Sequence, residues 1–127
     1  MANWTPDGVL GRMHRMQEDL APRPAAAPSP LAWGREEVVR ERLGNRVTSL
    51  SCVRRTLELR FPFPPAAVTE LFTSCYGPTV VTLRATGPAG RSRLRGGLTE
   101  LFEAYNLATD DTTRIAAEYL DVQAMIG

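Results

Sequence analysis

Two stretches of strand character, separated by a long helical insertion, constrain this chain more than any other feature. From Val47 to Phe63 the residues Leu57, Leu59, Phe61 and Phe63 alternate with Glu58, Arg60 and Pro62. That period predicts a strand with one buried and one wet face. Pro62, Pro64 and Pro65 end it, because proline cannot donate to a sheet ladder. The second strand is expected at the end of the sequence, from Ile115 to Ile126. Two strands interrupted by helices do not make a self-sufficient sheet, since each leaves an unpaired edge. The pattern therefore predicts an incomplete sheet, with further strands expected beside these two.

The remaining segments read as helices and links. Thr5-Pro6-Asp7 suits a helix start, with a capping hydroxyl, a proline at the first position and an acid near the positive dipole end. Val9, Leu10, Met13, Met16 and Leu20 then recur at helical spacing, so a helix is predicted from Pro6 to Leu20. Residues 22–30 form a stiff Pro-rich connection. A short helix follows from Arg35 to Leu43, with Val38, Val39 and Leu43 inward and Gly44 as its stop. Pro65 to Tyr76 is the next, with Val68, Leu71, Phe72 and Cys75 as its apolar stripe. Thr79 to Ala85 fits a strand by propensity and a helical turn by spacing. Leu94, Leu98, Leu101, Phe102 and Tyr105 mark a further helix, although Gly96-Gly97 inside it costs about 1 kcal/mol per glycine relative to alanine. Asn106 to Thr112 is a polar loop with Asp110-Asp111 at its tip.

Composition excludes several function classes. The chain of 127 residues is 43% hydrophobic and 23% charged, the mix of a soluble globular unit. Net charge is +1 with acids and bases interspersed, so neither a nucleic-acid stripe nor an acidic tail is expected. All 15 basic side chains are Arg; together with abundant Ala, Gly and Pro, this reads as codon bias rather than phosphate recognition. Cys52, Cys75 and the lone His14 give no zinc-ligand spacing. No apolar stretch reaches transmembrane length, and Met1 to Pro6 has no signal-peptide character. A cytoplasmic protein without membrane or nucleic-acid partners is expected.

Several stretches share one pattern. Asn3-Trp4-Thr5-Pro6-Asp7-Gly8, a helix and a Pro-rich link are followed by Pro28-Ser29-Pro30-Leu31-Ala32-Trp33-Gly34-Arg35-Glu36-Glu37-Val38. Phe61-Pro62-Phe63, Cys75-Tyr76-Gly77-Pro78-Thr79 and Thr112-Thr113-Arg114-Ile115-Ala116-Ala117-Glu118-Tyr119-Leu120 come next, in that order. Jointly they resemble the C-terminal part of class I S-adenosylmethionine-dependent methyltransferases of the ubiquinone/menaquinone-biosynthesis-like, type 11 group. The resemblance covers nearly the whole chain as one segment, 1–127, with 22–30 as a connection inside it. It implies an α/β protein, α+β in the isolated chain: part of a Rossmann-like, doubly wound seven-stranded sheet, with two main strands and four or five helices here. The last strand of that sheet inserts antiparallel beside the fifth. Met1 to Trp4 would end strand five, Val47 to Phe61 would be strand six, and Ile115 to Ile126 strand seven. Thr79 to Ala85 would then be helical, against its propensity.

One departure matters. The family's cofactor sits on a Gly-rich turn after the first strand, where the backbone approaches the ligand, with a carboxylate after the second strand for the ribose. Neither has a counterpart here. Gly87-Pro88-Ala89-Gly90 lacks a G-x-G spacing and reads as a plain turn. The cofactor-binding N-terminal half is expected to be missing, and the chain alone to bind no cofactor and to be inactive. S-adenosylmethionine is implied only for the intact family.

The resemblance assigns the segment after strand five and the helical insertion to an acceptor pocket. Its candidates are Trp4, Trp33, Tyr76 and Asn106, aromatic or polar groups suited to a small apolar or aromatic molecule. No catalytic residue or metal ligand is assigned. His14 reads as a solvated surface residue, Cys75 as a core thiol, Asp110-Asp111 as solvated acids, and Arg91, Arg93, Arg95 and Arg54-Arg55 as wet faces. Two functions follow. The first is the acceptor-side portion of a methyltransferase acting on a small molecule. The second is a non-catalytic α+β module that binds a small ligand, self-associates, or pairs with a separate cofactor-binding half through its strand edges.

Overall fold

The computed structural model describes all residues, 1–127. It is a mixed α+β structure with five α-helices and one three-stranded antiparallel sheet. The elements in chain order are β1 (Ala2–Trp4), α1 (Val9–Leu20), a 3-10 turn (Pro30–Gly34), α2 (Glu36–Leu43), β2 (Ser49–Phe61), α3 (Pro65–Cys75), α4 (Gly77–Ala85), α5 (Pro88–Tyr105) and β3 (Thr113–Met125). No helix is long and apolar enough to cross a membrane.

The two long strands expected from the alternation pair directly with each other. β2 and β3 run antiparallel in unbroken register from Ser49↔Met125 to Phe61↔Thr113. β3 is the central strand, because β1 pairs antiparallel with its other edge, from Ala2↔Asp121 to Trp4↔Tyr119. The two outer strands are therefore parallel to each other and flank one antiparallel strand.

Both faces of β3 are used, but at different ends. Side chains alternate across a strand, so Ile115 and Ala117 lie on one face while Leu120 and Val122 lie on the other. Ile115 and Ala117 belong to the larger core with Val9, Leu10 and Met13 of α1, Val68 of α3 and Leu94, Leu98 and Phe102 of α5. Leu120 and Val122 pack under Val39 of α2, with Trp33, Leu43, Leu50 and Cys52 around them. Helices thus cover the sheet from both sides, a layering that isolated antiparallel sheets commonly lack.

Several local expectations are corrected. α1 begins at Val9, with Gly8 rather than Thr5 at its N-cap. Thr5 is fully buried and hydrogen-bonds β3 instead: its amide reaches Glu118 O at 3.1 Å and its hydroxyl the Glu118 carboxylate at 2.8 Å. The residues after β1 extend the ladder before they can start a helix. The stripe of α3 is Val68, Thr69, Phe72 and Thr73; Cys75 is exposed, not a core thiol. The threonines there satisfy their hydroxyls inside, Thr69 on Thr99 at 2.7 Å and Thr73 on Glu70 O at 3.1 Å. Residues 77–85 are helical despite their β-branched composition, because Pro78 takes the first turn and Gln17 of α1 donates to the buried Thr79 hydroxyl at 2.8 Å. Gly96 and Gly97 do lie inside a helix. Leu57, expected on a buried face, remains 48% exposed, and the reason leads to the site.

Candidate functional site

The register of β1 on β3 sets Trp4 opposite Tyr119. The two rings form a cross-strand edge-to-face pair, with centroids 6.3 Å apart and planes at 89°, the geometry favoured by the ring quadrupoles. They share the face of Ala117, where α1 covers the sheet. α1 does not extend over Tyr119 or Leu57, so the apolar floor continues uncovered past the end of the core. Leu31, buried in the turn after the Pro-rich connection, closes one side. His14, on the flank of α1, closes another. The result is a cavity of about 340 Å³ bordered by Trp4, Tyr119, Leu57, Leu31, His14 and the β1 residue Asn3. That volume is at the lower end of small-molecule pockets.

Gly34 holds the turn against β1. A β-carbon there would overlap the Trp4 carbonyl oxygen and lie 2.9 Å from the Trp4 carbonyl carbon. Only a residue without a side chain permits this approach. Ser29 caps the turn by accepting from Leu31 N at 3.3 Å and donates to Glu18 of α1 at 3.3 Å. The turn is thereby tied to β1 and to α1, the two elements that carry Trp4 and His14.

The polar centre of the cavity is His14. It is half-buried rather than solvated, which corrects its reading from the sequence. Its Nε2 lies 3.2 Å from the Tyr76 hydroxyl, and the two rings meet edge-on at 6.0 Å. Burial lowers its pKa below the ordinary histidine value; the Glu18 carboxylate opposes that and Arg23 reinforces it. The imidazole is therefore neutral at neutral pH. Burial also raises the pKa of Tyr76, and a hydrogen bond with the Trp4 side chain partly offsets the rise. Tyr76 and His14 form one hydrogen-bonded aromatic pair.

The four residues expected to shape an acceptor pocket separate in space. Trp4 borders the cavity, and Tyr76 stands behind it, against His14 and with its ring 5.1 Å from Phe72. Trp33 lies over the opposite face, where the Arg42 guanidinium sits 4.6 Å from its ring centroid. Asn106 follows α5 and holds the turn into β3. Its amide donates to Thr112 O at 3.0 Å and accepts from Ala108 N at 3.0 Å and Arg114 N at 2.9 Å. These bonds occupy the Asn106 side chain in the turn, far from any ligand role in this cavity.

Sequence reasoning missed His14, Tyr119 and Leu57. A signal for His14 existed: Leu10, His14 and Gln17 are spaced i, i+4, i+7, the flank of the stripe made by Val9, Met13 and Met16. Most of the other charged groups read from the sequence have structural partners, Arg93 and Asp111 excepted. Arg54 and Arg55 pair with Glu118 at 3.2 Å and Asp121 at 2.8 Å on β3. Arg95 pairs with Glu70 at 2.8 Å, and Arg91 donates to Leu83 O at 2.8 Å and Thr86 O at 3.0 Å, joining α4 to α5. Asp110 accepts from the Thr112 hydroxyl and amide, which holds its carboxyl below the usual range. No group of three or more His, Cys, Asp and Glu side chains stands close enough to hold a metal.

No family model matches the chain. Relatives occur among mycobacterial proteins. The uncharacterized protein Rv1405c of Mycobacterium tuberculosis is 38% identical over 79 residues, covering 61% of this chain and 29% of that protein. The uncharacterized protein Rv1403c of the same organism is 31% identical over 107 residues, covering 81% of this chain and 39% of that protein. The uncharacterized protein Mb1438c of Mycobacterium bovis is also 31% identical over 107 residues, with the same shares. The chain thus spans 29% to 39% of the length of these relatives.

Proposed function

We propose that this chain is the acceptor-side portion of an S-adenosylmethionine-dependent methyltransferase acting on a small molecule, and that it works with a cofactor-binding portion of the Rossmann-like sheet. The observation that carries this reading is the strand order. The resemblance implies a last strand that inserts antiparallel beside strand five, and β3 pairs antiparallel with β1 on one edge and with β2 on the other. Three further features agree with it. Helices cover both sheet faces, Gly77–Ala85 is helical against its propensity, and the shared segment makes up only 29% and 39% of the relatives' length.

The residues present do not themselves fit the cofactor. β1 passes into α1 through Thr5-Pro6-Asp7-Gly8, and β2 into α3 through Pro62-Phe63-Pro64. Neither turn has the successive glycines that let a nucleotide approach the backbone. What this chain offers is an apolar, aromatic cavity beside β1, whose outer edge is packed by the Pro30–Gly34 turn at the Trp4 carbonyl. β1 is an edge strand, and the side-chain Nδ2 of its Asn3 is buried without a hydrogen-bond partner. A buried donor of this kind is costly unless an acceptor completes it. The other edge, β2, carries Arg54, Arg55 and Arg60, the charged marking by which sheets discourage strand addition.

Calorimetric titration with S-adenosylhomocysteine tests the reading. The chain by itself should give no binding heat, and full-length Rv1403c should bind at one site. A full-length relative without affinity for the nucleotide would sink the proposal, and one-site binding by this chain alone would show that it builds a cofactor site by another route.

A further inference from the structure

We propose that the chain forms a symmetric dimer in which the free edge of β2 pairs antiparallel with the same edge of a second copy, centred on Thr56. The proposal goes beyond the methyltransferase reading and does not depend on it, since it uses the sheet edge opposite β1.

β2 pairs with β3 on one side only and is the long unpaired edge of the sheet. The bonds on β3 identify its free groups. Met1 exchanges both backbone bonds with Val122, and the Thr5 amide donates to Glu118 O. The even-numbered residues of β3 therefore turn their amides and carbonyls to β1. Its odd-numbered residues turn theirs to β2, where the register sets them opposite Val53, Arg55, Leu57 and Leu59. The amides and carbonyls of Cys52, Arg54, Thr56, Glu58 and Arg60 point outward, a row without a partner strand. Residues 53–58 are all exposed, and two of them, Val53 at 42% and Leu57 at 48%, are large apolar side chains.

Charge selects the occupant. Arg54, Arg55 and Arg60 deter an arbitrary strand, but β2 also carries Glu58. With Thr56 opposite Thr56 of the second copy, Arg54 stands opposite the copy's Glu58, and Glu58 opposite its Arg54. Both are opposite-charge pairs between residues whose backbone groups face outward. Moving the centre by one or two residues in either direction sets like charges together: Arg54, Arg55 or Glu58 on itself, or Arg54 on Arg60. One arrangement near the middle of the strand is favoured and its neighbours are penalised.

The faces fit as well. On one face the main core covers Leu59 and Phe61 and leaves Val53 bare. On the other, α2 and its cluster cover Leu50 and Cys52 and leave Arg60 bare. The pairing sets Leu59 beside the copy's Val53 and Cys52 beside its Arg60, so covered stretches meet bare ones on both faces. Leu57 meets Leu57 of the copy diagonally across the axis, which removes apolar surface that the single chain leaves in water.

Sedimentation equilibrium of the 14.0 kDa chain, at concentrations up to roughly 1 mM, should show a reversible monomer–dimer equilibrium. Arg54→Glu and Glu58→Arg should each weaken it by about tenfold or more, because two opposite-charge pairs become two like-charge pairs. An equimolar mixture of the two variants should restore the dimer, since every acid at these positions then faces a base. Within one chain Arg54 also pairs with Glu118, and Glu58 with Arg60 and Arg114. Those losses are the same in separate and mixed samples, so recovery on mixing reports the interface alone. Cross-linking covers the case in which a variant does not fold. In a Cys52→Ser/Cys75→Ser background under mild oxidant, Thr56→Cys should form a disulfide-linked dimer, its Cα atoms about 5.5 Å apart. Glu58→Cys should link far more slowly, because its two copies lie roughly 13 Å apart along the strands. A monomer throughout, variants that dimerise as the parent does, no recovery on mixing, or equal cross-linking at the two positions overturns the proposal.

Discussion

Two glycine-to-alanine substitutions should move stability in opposite directions, because the space around each glycine differs. A β-carbon at Gly34 would overlap the Trp4 carbonyl oxygen and stand 2.9 Å from its carbon and 3.1 Å from Thr5 Cα. Optimal carbon–carbon separation is about 3.5–4.0 Å, and the obstructing atoms are all backbone of β1 and its extension. No side chain can turn away, so the turn and β1 must part by roughly an ångström, at the cost of an overpacked core of about 1–3 kcal/mol. At Gly96, inside α5, an added β-carbon meets nothing within 4 Å. There alanine removes the entropic cost of a helical glycine and gains about 0.5–1 kcal/mol. For a domain of this size 1 kcal/mol corresponds to roughly 3–5 °C in Tm. Thermal melting followed by circular dichroism should show Gly34→Ala several degrees below the parent and Gly96→Ala a few degrees above it. If Gly34→Ala melts at or above the parent temperature, the close packing of the turn on β1 is refuted, and with it the closed side of the cavity.

The remaining predictions concern the core and His14. Phe102→Ala empties a site that is 1% exposed, between Phe72 and the α1 residues of the core, and should cost about 3–5 kcal/mol in urea unfolding. Gln17→Ala leaves the buried Thr79 hydroxyl without its donor and should cost about 1–3 kcal/mol; a neutral result in the same assay would mean that α4 does not depend on α1. His14 is held below its unfolded pKa of 6.5 by burial. The unfolded chain therefore takes up this proton first as pH falls, so stability decreases from about pH 6.5 downward and levels off below the folded pKa. Chemical unfolding across pH 5 to 8 should show that decline flattened in His14→Gln relative to the parent; parallel curves would contradict a buried neutral imidazole.

Much of the fold was legible because its signals are local. The period-two run through Leu57, Leu59 and Phe61 marked β2, and the spacing of Val9, Leu10, Met13, Leu94, Leu98 and Phe102 marked the helices that meet in the core. Residues 77–85 were ambiguous for a physical reason: their β-branched side chains favour a strand, and the Gln17–Thr79 bond that rewards a helix joins residues 62 positions apart. The start of α1 was misplaced because Thr5 finds its partner, Glu118, across the sheet instead of in the next turn. The cavity was half legible. Trp4 and Tyr76 stood out as aromatic residues with a polar handle, but Trp33 and Asn106 look the same in sequence and are occupied by Arg42 and by the α5–β3 turn. His14 was passed over because only the approach of Tyr76, carried by the α3–α4 junction, turns a helix-flank histidine into the polar centre of a pocket.

A chimaera of Rv1403c, in which this chain replaces the 107-residue matched segment, tests the central claim most directly. The account predicts that the chimaera folds and binds S-adenosylhomocysteine within about tenfold of its parent's affinity, the 1.4 kcal/mol equivalent of a modestly imperfect junction. A folded chimaera that has lost the nucleotide site, beside a parent that binds it, would mean that this chain does not complete a methyltransferase sheet.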